Sequence, residues 1–354
     1  MSYREATFYF YTGTGNSYRV AVWMAGAVRN TGIDVTVRPI ESARPSEEIG
    51  KGETALLGLV MPTHGFAAPR AILRFVLRLP RGWKTHAVVI AIRAGSRVGS
   101  TYTPGFEGTA TLLVALILAL KGYRIRGTEA IDMPSNWIAL HPGLVPDTVA
   151  GIVARAKKKA IHFMSSILSD RRRCTSWIVF LLGLLVLPLS LAYMLIGRPF
   201  LAKLFFASNL CTGCGLCAEY CPNGAIEMRG SGNRHRPYWT FRCESCMRCM
   251  AFCSTRAVEA NYLLGIGAYL LAGAIPTTAF LAWLVIRVPV LSFLSWTPRW
   301  VLESVMAIVA IGLVYPIFHL LLRIEWVERF FTHATPTHYY RRYHEPETML
   351  MDLE

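Results

Sequence analysis

Eight of the nine cysteines in this 354-residue chain fall into two runs of identical spacing. The first is Cys211-x2-Cys214-x2-Cys217-x3-Cys221, followed by Pro222. The second is Cys243-x2-Cys246-x2-Cys249-x3-Cys253, followed by Ser254. Three thiolates at this spacing grip one face of a [4Fe–4S] cube, and the fourth cysteine of each run reaches the other cube. The pattern assigns Cys211, Cys214, Cys217 and Cys253 to one cluster. It assigns Cys243, Cys246, Cys249 and Cys221 to a second. Structural zinc is the alternative, but zinc sites commonly use paired Cys-x2-Cys units. Cys174 is left over and reads as a spare thiol. Thiols stay reduced in the cytoplasm, where such clusters are expected.

Charge gaps mark the next constraint. No Asp, Glu, Lys or Arg lies between Arg173 and Arg198, between Glu259 and Arg287, or between Glu303 and Arg323. These runs of 24, 27 and 19 residues compare with the ~20 apolar residues that span a bilayer core as a helix. The start, Met-Ser-Tyr-Arg-Glu, lacks the apolar core of a signal peptide. Hydrophobic residues make up 53% and charged residues 17%, which excludes a disordered chain.

The net charge of +15 is concentrated. Residues 151–175 hold Arg155, Lys157, Lys158, Lys159, Arg171, Arg172 and Arg173 against the single acid Asp170. This basic linker sits directly before the first apolar run. By the positive-inside rule it places the preceding domain in the cytoplasm. A solvated helix face is the plainer reading. No nucleic-acid motif accompanies the charge, so a nucleic-acid partner is not expected.

Residues 1–150 alternate β and α. Ala6–Tyr11, Ile33–Pro39, Thr54–Met61, Thr85–Ile92 and Tyr123–Ile131 read as strands with helix-compatible stretches between them. The alternation predicts an α/β doubly wound parallel sheet. The first strand ends in Thr12-Gly13-Thr14-Gly15-Asn16-Ser17, ahead of a helix. Hydroxyls and amides at a helix N-terminus suit a phosphate. A P-loop would end in Gly-Lys-Ser/Thr, which is absent. A dinucleotide fingerprint would need a third glycine where Tyr18 stands, and an acid near the end of the second strand, where Glu41 comes late.

The strand–Thr-Gly-Thr-Gly-Asn-Ser–helix sequence resembles the flavodoxin family, whose FMN sits at the topological switch point. The resemblance implies that Thr12, Gly13, Thr14, Gly15, Asn16 and Ser17 hold the FMN phosphate. It implies a flavin ring between two further loops. One contains Thr63, His64, Gly65 and Phe66; the other contains Ala94, Gly95, Ser96 and Gly99. Phe66 or Tyr102 would stack on the ring. A flavodoxin-like domain joined to a small α+β dicluster ferredoxin-like domain resembles the flavodoxin–ferredoxin fusion proteins. Met133-Pro134-Ser135-Asn136-Trp137 is similar to a motif of those fusions. The resemblance covers roughly 1–150 and 208–260.

The expected order is therefore a flavodoxin-like domain at 1–150, the basic linker at 151–175 and a membrane-embedded hairpin or helix at 176–207. The ferredoxin domain follows at 208–260, a transmembrane hairpin at 261–323 and a cytoplasmic tail at 324–354. Pro188 interrupts the first apolar run, so re-entry is preferred there to a full crossing. Leu112–Leu120 reads as a helix buried in the first domain, with one side available to the membrane part. Glu303 and His319 are ionisable groups in or beside an apolar run, where function is the default reading. The expected protein is a multi-pass component of the cytoplasmic membrane, with FMN and two [4Fe–4S] clusters on the cytoplasmic side. It would pass electrons to or from a membrane-associated partner redox protein. A quinone or lipid reductase, and a redox sensor, are the alternatives.

Overall fold

The computed structural model describes residues 3–175, 177–232, 235–270, 283, 287 and 298–354. The first domain is built on strands β1 (Glu5–Phe10), β2 (Asp34–Pro39), β3 (Ala55–Pro62), β4 (His86–Val98), β5 (Thr101–Thr103) and β6 (Arg124–Pro134). β1, β2, β3, β4 and β6 form a parallel sheet in the order β2-β1-β3-β4-β6. This is the doubly wound order in which the chain switches direction between β1 and β3. All eight residues of β3 are buried, as expected of a central parallel strand covered on both faces.

Helices α1 (Asn16–Arg29) and α4 (Pro146–Leu168) pack together on one face of the sheet. They close a core that includes Phe8, Phe10, Met24 and Phe163. Helices α2 (Arg70–Arg78) and α3 (Ala110–Leu120) cover the other face, with Tyr9, Tyr11, Leu59, Val114 and Leu118 in its core. The helix predicted at 112–120 thus belongs to this domain, while Leu116 and Leu120 remain exposed.

One predicted loop is a strand. Ala94–Val98 prolongs β4 and folds back antiparallel onto β5, pairing Ser96 with Thr103 and Arg97 with Tyr102. The apolar run ends at Ile92, so hydropathy gives no sign of this polar extension; the turn at Gly99 makes it.

The dicluster domain holds two small antiparallel pairs. β7 (Phe205–Ala207) pairs with β10 (Val258–Ala260), and β8 (Ile226–Arg229) pairs with β9 (Arg236–Trp239). Phe205 stacks on Trp239, with ring centres 5.8 Å apart, in a core shared with the cysteine loops.

Residues 177–202 form a kinked helical run: Trp177–Leu185, Leu187–Ala192, a wide turn at Tyr193–Gly197, then Arg198–Ala202. Pro188 opens its helix at the first turn, where a missing N–H costs nothing. The run touches the cofactor domains repeatedly. Gly183 abuts the backbone of Gly108, Tyr193 covers Gly65, and Arg198 donates to the carbonyls of Phe241 and Cys243. The predicted Pro188-broken segment is therefore laid along those domains, with Leu181, Leu185, Leu189 and Leu195 facing outward.

Of the described helices, Arg299–Leu321, here α5, contains the one stretch long and apolar enough to cross a bilayer, Trp300–Leu321. Most of the second apolar run, 260–286, lies outside the described residues. The tail returns through the helix Glu325–Ala334 and ends in the short turn Leu350–Leu353, whose Leu353 joins the core of the first domain.

Candidate functional site

The loop 12–17 lies at the switch point, fully buried. Gly15 adopts φ +90°, a conformation that costs a glycine nothing, and lets the chain turn directly into α1. Its amide is held by the Thr12 hydroxyl at 3.1 Å. The Thr14 hydroxyl accepts from Asn136 Nδ2 at 2.9 Å. Asn16 Nδ2 donates to the Pro134 carbonyl at 3.0 Å, and Asn16 Oδ1 accepts from the Tyr343 hydroxyl at 2.7 Å. The Met133–Trp137 motif thus buttresses the loop.

The buried Ser17 hydroxyl has no partner among the described residues, and neither do Thr63 Oγ1 and His64 Nδ1. Buried polar atoms are normally satisfied. Orphaned hydroxyls beside a glycine loop at a helix N-terminus fit a phosphate-bearing ligand such as FMN. Burial pushes His64 down to about 4, so its imidazole is neutral near pH 7.

The ring-side candidates divide. Thr63, His64, Gly65 and Phe66 gather beside Phe106 and Gly108: the Phe66 carbonyl accepts from the Thr109 amide, and its ring lies 5.8 Å from Phe106. Ala94 abuts Gly105, and Gly95 packs on Asp132. Ser96, Gly99 and Tyr102 belong instead to the β4–β5 hairpin. Tyr102 lies under Arg155 of α4 at 4.2 Å, with its hydroxyl against Gly151. The structure therefore gives Tyr102 a different neighbour from the predicted ring, because its strand is carried over to α4.

The eight cysteines surround two cavities. Cys211, Cys214 and Cys253 line one; Cys221, Cys243 and Cys246 line the other; Cys217 and Cys249 line both. Electrostatics sorts them in the same way. Burial pushes Cys217 up to about 12, reinforced by Cys211, Cys214 and Cys253. Burial pushes Cys246 up to about 11; Arg248 opposes the rise and Cys221 adds to it. The fourth cysteine of each run therefore neighbours the other run's triplet. Thiols this reluctant to ionise become thiolates only when a metal replaces the proton. Among the described residues no three His, Cys, Asp or Glu side chains converge on a single-ion site.

The two parts meet without a gap. A Cβ on Gly13 would lie 1.6 Å from the carbonyl oxygen of Cys246. Arg248, buried between them, donates to the Thr12 carbonyl at 2.7 Å, to Glu41 at 2.9 Å and to the Tyr220 carbonyl at 2.9 Å. Glu41, too late in the chain for a dinucleotide ribose, serves as the counter-ion of this bridge. From the tail, the Glu345 amide donates to the Thr14 carbonyl at 2.7 Å, and Thr348 closes on Gly15. Glu345 also pairs with Arg19 at 3.0 Å. Arg248, Tyr193, Tyr343 and Glu345 were not legible as site residues, since each acts on a loop more than 100 positions away.

Residues 210–257 match the family described as 4Fe-4S dicluster domain. Comparison with curated proteins gives no match. Solved structures of similar outline include a flavodoxin of Streptococcus pneumoniae TIGR4, 14% identical, covering 46% of this chain and 98% of that one at TM-score 0.31. An archaeal flavodoxin is 13% identical, covering 46% and 99% at TM-score 0.31. Rubredoxin:oxygen oxidoreductase of Desulfovibrio gigas is 11% identical, covering 47% and 38% at TM-score 0.30. The flavodoxin-like assignment of the first domain rests on its own strand order.

Proposed function

We propose that this chain is a membrane-anchored electron-transfer protein that holds FMN at the 12–17 loop and two [4Fe–4S] clusters on its eight paired cysteines. Bound FMN would supply a two-electron carrier, and each cube a one-electron carrier. The observation that carries the reading is the contact of Gly13 with Cys246, which puts a cluster-ligand loop directly on the flavin loop. The chain's own groups set the order of stations. Gly13 and Arg248 couple the flavin loop to the Cys243/Cys246/Cys249/Cys221 site, and Cys217 and Cys249 stand between that site and the Cys211/Cys214/Cys217/Cys253 site. A partner redox protein would exchange electrons at the outer site, where Cys214 is exposed.

Anchoring is supported by α5, whose Val305, Val309, Leu313 and Ile317 are exposed. Apolar surface of this kind marks a membrane or partner face. Lys157, Lys158, Arg171 and Arg172 face outward, in keeping with a cytoplasmic placement by the positive-inside rule. Protein assembled anaerobically should contain near one FMN and about eight irons per chain. Zinc in place of iron, or no flavin, would overturn the reading. Inverted membrane vesicles should expose both cofactor domains to protease; protection of either would overturn the topology.

A further inference from the structure

A cavity of about 310 Å³ lies where the end of α5 meets the dicluster domain. Pro316, His319 and Leu320 of α5 form one side; Arg229, Pro237 and Tyr238 of the β8–β9 hairpin form the other. Its size suits a small-molecule head group. On the apolar side, Leu320 is exposed and continues onto the outward Ile317 and Leu313, so a ligand's tail would leave along the face proposed to meet lipid. On the polar side, His319 Nε2 is buried without a hydrogen-bond partner. Its ring is fixed against Tyr315 and Tyr238, with centres 4.4 and 5.0 Å away. The guanidinium of Arg229 lies over the Tyr238 ring at 3.3 Å and pairs with Glu227.

The third observation concerns position. Pro237 lines both this cavity and the one surrounded by Cys211, Cys214, Cys217 and Cys253. Arg236, beside it, donates to the Cys211 carbonyl. The two cavities therefore share Pro237 as a common lining residue. The site thus calls for an amphipathic molecule with a hydrogen-bonding head, a lipid-soluble tail and the capacity to exchange electrons.

We propose that this cavity binds the head group of a membrane quinone, with His319 Nε2 hydrogen-bonded to a ring oxygen. The site is then the membrane terminus of the electron path. With its eight cysteines loaded, the chain would supply the two electrons, one per cluster, and water the two protons that convert both ring carbonyls into hydroxyls. The exchange rests on the electron-transfer reading above; the binding does not.

The test uses full-length protein in phosphatidylcholine nanodiscs with decylubiquinone as probe. Binding is measured by equilibrium dialysis, and iron content is measured in parallel. Saturable binding of one equivalent is expected. His319→Leu should weaken it about tenfold, the effect of losing a hydrogen bond at a buried site. His319→Gln, which restores a hydrogen-bonding group, should stay within about threefold of the parent. Iron content should be unchanged in both. Binding unaffected by His319→Leu overturns the proposal. So does one-for-one displacement of the probe by phosphatidylglycerol, which would make this an anionic-lipid site. Binding retained by protein that assembles without iron supports the quinone site, while the missing iron, not the binding, defeats the electron-transfer reading.

Discussion

The two cysteine runs share one spacing and have opposite surroundings. In the second run Cys243 is buried, Cys246 lies against Gly13, and Arg248 is locked between Thr12, Glu41 and Tyr220. In the first run Cys214 and Leu216 are exposed, and the neighbouring cavity is the one that ends at His319. Identical spacing sets how iron would be held. It does not set which site faces the flavin loop and which faces outward. That asymmetry comes from what each run packs against.

Cysteine replacement should break the symmetry most sharply. Cys246→Ser and Cys214→Ser should each leave about four irons per chain. The Cys246 variant should lose far more thermal stability, because its loop also forms the seam with the first domain. Equal loss of melting temperature in both would show that the seam carries no special weight.

Gly13→Ala tests the seam alone. Its Cβ would collide with a backbone carbonyl, and overpacking of this kind costs about 1–3 kcal/mol. Denaturant unfolding should report that loss while iron stays unchanged. Glu345→Ala removes one buried partner of Arg19 and Thr348, a loss in the same range of about 1–3 kcal/mol. Flavin retention during gel filtration should fall with it.

The last effect is silent near neutral pH and appears only on acidification. An imidazole in the unfolded chain titrates near 6.5, whereas burial holds His64 down to about 4. As pH falls from about 6.5 to about 4, the unfolded chain therefore binds a proton that the folded chain refuses, and stability declines. Above that window His64 contributes no pH dependence. His64→Gln should flatten the acid limb of the denaturation midpoint, and an unchanged limb would contradict the assignment.

What was legible in the sequence follows from distance along the chain. All five parallel strands start within one residue of their predicted bounds, because β3 and the first half of β4 carry uninterrupted apolar runs, while β4 continues six residues past its predicted end. The crosswise cysteine sets are what the spacing leads one to expect, and the same side chains line two cavities in the structure. Ser96, Gly99 and Tyr102 read as a ring-side loop because nothing in their polarity distinguishes a loop from the protruding hairpin they form. Tyr343 and Glu345 close on Asn16 and Thr14 from the far end of the chain, with no local pattern to announce it.

The central claim is that electrons from the flavin loop enter first at the Cys243/Cys246/Cys249/Cys221 cluster. The direct test is anaerobic photoreduction of the flavin in Cys214→Ser and Cys246→Ser protein, each read by electron paramagnetic resonance of the cluster that remains. The account predicts that the remaining cluster of Cys214→Ser is reduced as fast as in the parent, while that of Cys246→Ser stays oxidised. Prompt reduction in Cys246→Ser together with an oxidised cluster in Cys214→Ser would contradict it.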